Sequence, residues 1–170
     1  MARDSQKQRL YDAENKFRKE FGTGFQFGSV DDIAMYVFNL VYSNWFRNRF
    51  HVESCSIDVR LAKKGNRSRA GSGRMRINQN RMDEVEVLHE LVHIFVSPRD
   101  VGHGREFCMM YLQLVKKKLG EPAEEFLKKC FKDGKVKFRP KRKATVSLYH
   151  KGEIPPALLR WREEQKASAA

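Results

Sequence analysis

Three of the chain's five histidines fall within one stretch, EVLHELVHIFVSPRDVGHGREF, residues 86–107. His89 and His93 bracket a glutamate, Glu90, as His-Glu-x-x-His. Helical residues four apart share a face, so the two imidazoles can point at one ion. Imidazole is a good zinc ligand, and catalytic zinc commonly takes three protein ligands and keeps a fourth position open. His103 is the candidate third ligand. It follows a break at Ser97-Pro98, and Gly102 and Gly104 on its two sides permit close backbone approach. Glu90, beside the first ligand, can act as general base toward a water acidified by the ion. The plain alternative is a helix with surface histidines, which the third histidine and the amphipathic setting disfavour. His51 and His150 stand in no ligand-like spacing and read as ordinary surface or core residues.

The elements that must position these groups are mostly helical. A first helix is expected over about residues 5–21, with Tyr11, Phe17 and Phe21 as apolar contacts; GTGFQFGS stops it. Ser29 or Asp31 can cap a second helix running to about Phe50, with Ile33, Val37, Leu40, Val41 and Trp45 on its core face. SCSIDVRLA alternates, with Ile57, Val59 and Leu61 on one side, and reads as a strand. A glycine- and serine-rich loop follows, and RMRINQN alternates again with Met75 and Ile77 inward. The two runs suggest a hairpin or two neighbouring strands with a long basic tip. Asp83 and Glu86 form a candidate capping pair for the helix that carries the histidines, and Ser97-Pro98 ends it. The next helix should run from His103 or Gly104 to Leu119, burying Phe107, Met110, Tyr111 and Leu114. A short helix ending near Phe131 comes after Gly120 and Pro122. Residues 134–150 could hold one or two strands or an extended basic arm, and residues 155–170 a final helix.

The 170-residue chain is expected to form a single domain, with a basic extension from about residue 128. The charged N-terminus does not read as a secretory signal, and the most apolar window is too short for a membrane span. Three scattered cysteines argue for a reducing, cytoplasmic setting rather than a disulfide framework. The formal charge is +13. Residues 63–81 hold seven basic and no acidic residues, and residues 128–143 hold nine against one aspartate. Such runs suggest contact with a polyanion, and Lys63, Lys64, Arg67, Arg69, Lys141, Arg142 and Lys143 are the candidate nucleic-acid contacts.

The stretch LHELVH…GHGREF resembles the SprT-like branch of zinc metallopeptidases, in which a third histidine follows in a His-Gly-x-x-Phe context, here His103-Gly104-Arg105-Glu106-Phe107. The opening RDSQKQRLYDAE, through Arg3, Asp4, Gln6, Tyr11 and Glu14, is similar to the start of a family of small metallohydrolases from bacteria and their phages. The resemblance implies an α+β, helix-dominated, minimal zincin-like core. It implies one Zn2+ held by His89, His93 and His103, with Glu90 as the catalytic acid/base. It also implies a strand beside the cleft that pairs with an extended substrate; residues 73–80 take that place, so Arg76, Ile77 and Asn78 are candidate substrate contacts. Tyr111, also a candidate substrate contact, could stabilise an oxyanion, as could Arg105 or Tyr149. The expected function is a zinc-dependent hydrolase acting on a peptide or protein, possible also near nucleic acid. The rival is a non-catalytic nucleic-acid-associated protein with a structural zinc, and a third option is amide hydrolysis in a cell-wall peptide.

Overall fold

The computed structural model describes residues 4, 6–53, 55–96 and 102–138. They form an α+β fold of six α-helices and one three-stranded sheet. Helix α1 (Lys7–Glu20) buries Leu10, Ala13, Glu14 and Phe17 along one face. The apolar run that follows is split into α2 (Val30–Val41) and α3 (Asn44–Phe50). The expected single helix is interrupted because Ser43 serves both sides of the break. Its hydroxyl donates to the Leu40 carbonyl at 2.6 Å and accepts from the Phe46 N–H at 3.2 Å. Ser29, rather than Asp31, caps α2 by accepting from the Asp32 N–H at 3.1 Å.

Strands β1 (Asp58–Leu61), β2 (Arg69–Gly71) and β3 (Arg74–Ile77) stand in the order β1-β3-β2. β1 and β3 are parallel neighbours, so they do not make the hairpin that was one expectation. The hairpin is β2–β3, formed where a loop was expected. Ser72 and Gly73 turn it, both with φ in the left-handed region, as a tight hairpin turn requires. This topology corrects a second expectation. β3 lies in the middle of the sheet, so residues 73–80 are not the exposed edge; β2 takes that place beside the cleft. Ile77 is wholly buried, so its side chain is a core contact and not a substrate contact.

Helix α4 (Glu84–Phe95) carries the histidine motif and buries every residue except His93. It packs against β2, β3, α2 and α5 (Arg105–Leu119). α5 buries Phe107, Met110, Tyr111 and Leu114 as expected, and packs on α6 (Glu121–Asp133). α6 in turn holds α1. Asp83 caps α4 through the Glu86 N–H at 2.9 Å. The Glu86 carboxylate does not close the box: it accepts from Arg18 at 2.8 Å, while Arg18 also grips both Asp83 oxygens at 2.8 and 2.7 Å. Among the described residues no helix is long and apolar enough to cross a membrane, and residues 134–138 hold no strand. The rest of the expected arm, the final helix, and Lys141, Arg142, Lys143 and Tyr149 lie outside the described residues.

The Arg18 guanidinium is a test of this frame, because it is the counter-charge for two nearly buried carboxylates. Arg18→Ala should destabilise the fold by roughly 3–5 kcal/mol, as expected when one member of a buried ionic group is removed. Urea unfolding followed by circular dichroism reads this loss, and a change below about 1 kcal/mol, the range of a surface pair, would contradict it.

Candidate metal centre

The first turn after Asp83 sets the phase of α4, and one turn separates His89 from His93 on the same side. His103 enters from the segment that precedes α5. The three rings meet: His93 Nε2 lies 3.2 Å and His103 Nε2 3.3 Å from His89 Nε2. Two nitrogens on a tetrahedral ion, each at 2.0–2.1 Å, are about 3.3 Å apart. The triad therefore has the spacing of a metal ligand set, and His89, His93 and His103 lie close enough to hold one ion.

The other ring nitrogens of two ligands are committed. His89 Nδ1 bonds Glu14 Oε1 at 2.7 Å, and His103 Nδ1 bonds Asp4 Oδ2 at 2.6 Å. A carboxylate on Nδ1 fixes the tautomer and turns Nε2 toward the ion. Gln6 secures the same loop, donating to the His103 carbonyl at 2.5 Å and to the Lys137 carbonyl at 3.2 Å. Tyr11 packs its ring against His103 and His89, with centroids 5.2 and 5.8 Å away. Asp4, Gln6, Tyr11 and Glu14 were visible only as a sequence likeness; the structure places all four around the histidines. Tyr11 and Glu14, three residues apart, share one face of α1, while Asp4 and Gln6 lie just before the helix begins. Arg3 lies outside the described residues.

Charge follows from this packing. Burial opposes a proton on His89, but the Glu14 carboxylate outweighs it and holds the His89 pKa above its ordinary value. His93 is pushed down to about 2 by burial and by the neighbouring His89 and His103. His103 is lowered chiefly by burial, against the pull of Asp4. Glu90 is pushed up to about 7 by burial first, with the Glu86 and Glu14 charges adding to it and His89 opposing.

A cleft of about 400 Å³ opens over His89 and Glu90. Gln8, Tyr11, Glu14 and Asn15 from α1 form one wall, and Arg67, Ser68, Asn78 and Arg81 the other. Asn78 ties that second wall together: its backbone N–H donates to the Ser68 hydroxyl oxygen at 3.0 Å and its side-chain amide donates to the Asn66 carbonyl at 2.7 Å. Of the expected substrate contacts only Asn78 lines the cleft. Arg76 lies on the other face of the sheet from the buried Met75 and Ile77. Tyr111 is wholly buried behind His89 and Phe107, so it supports the ligands from within and does not meet substrate. Arg105 begins α5 and is partly buried. Lys63, Lys64, Arg67 and Arg69 are exposed, and of these Arg67 borders the cleft. Set against known proteins, the chain matches no protein-family model, no curated sequence and no solved structure.

Two measurements test the centre. His103→Ala should lose most of the metal bound by the purified protein, and Glu14→Gln should weaken binding by about 10–100-fold; elemental analysis and chelator competition read these. Metal uptake should also expel a proton. Without metal, His89 keeps a proton below its raised pKa, and the ligand form must lose it, whereas His93 and His103 are already neutral. Apparent affinity should therefore fall about tenfold per pH unit below the His89 pKa and level off above it. Calorimetry in buffers of different ionisation enthalpy should find proton release that grows as pH falls through the His89 pKa; release that does not vary with pH would contradict the His89–Glu14 assignment.

Proposed function

We propose that the chain is a zinc-dependent hydrolase, a metallopeptidase of the SprT-like type, with His89, His93 and His103 as ligands and Glu90 as general base. One observation carries the reading: Glu90 is buried beside the ligand triad, lines the cleft, and leaves its Oε2 without a hydrogen-bond partner among the described residues. A buried polar atom without a partner costs about 1–3 kcal/mol, and the carboxylate that carries it lines the cleft, where it can take a proton. The likeness to SprT-like peptidases rests on His89, Glu90 and His93 together with His103-Gly104 and Phe107.

An ion held by the triad supplies Lewis-acid polarisation of a substrate carbonyl and lowers the pKa of water. The Glu90 carboxylate takes the proton of the attacking water and passes it to the leaving amine. A pKa near neutrality suits both halves of that transfer. Tyr11 lines the cleft with its ring against His89 and His103. Burial, then the Glu14, Glu90 and Glu86 charges, push its pKa up to about 12, so it keeps its proton and can donate to a developing oxyanion. Tyr11 takes the role first considered for Tyr111. The open cleft also favours a hydrolase over a purely structural zinc, whose ligand shell is closed.

Glu90→Gln should lower hydrolysis of an unfolded protein such as casein by about 10²–10⁴-fold while leaving the metal content unchanged. Gel-based turnover alongside elemental analysis reads both. Wild-type turnover in that variant would remove Glu90 from the chemistry.

A further inference from the structure

The outward face of the sheet carries a feature the metal centre does not use. The three strands contain four arginines and one aspartate. The pairing register sets Arg60 opposite Arg76 on one side and Arg69 opposite Arg76 on the other. Residues opposite one another on paired strands project from the same face. Met75 and Ile77, which flank Arg76 along β3, are wholly buried, so Arg74 and Arg76 project to the outer side. Three arginines thus form one rung across the full width of the sheet. Strands are about 4.8 Å apart, so the rung spans about 10 Å.

Asp58 is the one acid on this face, and Arg60 holds it at 2.9 Å with both side chains exposed. Arg69, Arg74 and Arg76 have no ion-pair partner among the described residues. Like charges directly opposite on neighbouring strands destabilise a sheet. The fold retains this repulsion twice on one rung; Asp58 offsets it at Arg60, but no acid among the described residues offsets it between Arg69 and Arg76, where a bound polyanion would.

We propose that this outer face, through Arg60, Arg69, Arg74 and Arg76, is a docking platform for the phosphate backbone of duplex nucleic acid. Arg69, Arg74 and Arg76 lie in the basic run of residues 63–81, although of the contacts expected there only Arg69 is among the four. The guanidinium fork matches phosphate bidentately. No strand residue is aromatic, so the face offers no stacking platform for unpaired bases, and the duplex is favoured over a single strand. The outer face has no apolar side chain to insert into a bilayer, and no apolar centre such as a specific protein interface needs. Backbone contacts of this kind are sequence-tolerant and salt-sensitive. The proposal stands independently of the hydrolase reading.

The test is fluorescence anisotropy of the full chain with a short labelled DNA duplex of mixed sequence, titrated across salt concentrations. Four phosphate contacts should give a log–log salt slope of about −3 to −4. The double variant R69T/R76T should bind at least about tenfold more weakly, and its slope should shrink by about 2. Its melting temperature at low salt should rise, because both like-charge pairs are gone; this keeps loss of binding distinct from loss of fold. The exposed pair K16Q/K19Q, with the same charge change on α1, should bind as wild type. An unchanged affinity and slope in R69T/R76T would overturn the proposal. So would tighter binding of a single strand, or stronger competition by polyglutamate or phosphatidylserine vesicles than by unlabelled duplex.

Discussion

The contact between Glu14 and His89 holds the site in register with the fold. It joins two helices 75 residues apart in sequence at 2.7 Å, in a buried setting where water cannot substitute for either group. Because Nδ1 is committed to the carboxylate, Nε2 faces the other two histidines. The tie does not act alone. α4 packs on α5, α5 on α6, α6 on α1, and α1 returns to α4 through Glu14 and Arg18. His103 sits directly before α5, so the same ring of helices that positions Glu14 also positions the third ligand. Asp4 and Gln6 close the remaining side through the His103 ring and its backbone carbonyl. Three histidines from two separate segments thus keep His93 and His103 at a spacing from His89 near that of a tetrahedral edge.

What was legible in the sequence was local. The spacing of His89 and His93, the cap at Asp83 and the burial of Phe107, Met110, Tyr111 and Leu114 all follow from helical period, and all appear in the structure. The α+β class followed from the same periods. What was not legible depends on contacts between distant residues or on one side chain's hydrogen bonding. Glu14 reads as an ordinary charged residue of an amphipathic helix until α4 is folded against it. Tyr111 reads both as a buried residue and as a substrate contact, and how α5 lies on α4 and α6 leaves only the first. Ser43 sits within an apolar period and breaks it by bonding Leu40 and Phe46. The strand order escaped sequence reasoning because alternation fixes which side chains point inward but not which strands are neighbours. β2, with one arginine, one alanine and one glycine, has too little alternation to announce itself.

The polar groups on α4 separate the structural from the chemical. A helix buried nearly all round normally carries apolar residues, yet this one carries Glu84, Glu86, His89, Glu90 and His93. Glu84 accepts from the Tyr36 hydroxyl at 2.5 Å and the Phe25 N–H at 3.1 Å. Glu86 is held by Arg18, and His89 by Glu14. Each of these is a burial whose desolvation the protein offsets with its own partner, as buried charges require. Glu90 differs: its Oε2 is buried and has none. If the triad served only to fasten the fold, a carboxylate at this position would be a cost with no return, and an apolar residue would pack better. Its place beside three converging imidazoles, on a cleft that the residue lines, is what the proposed role of the Glu90 carboxylate as a proton acceptor would account for.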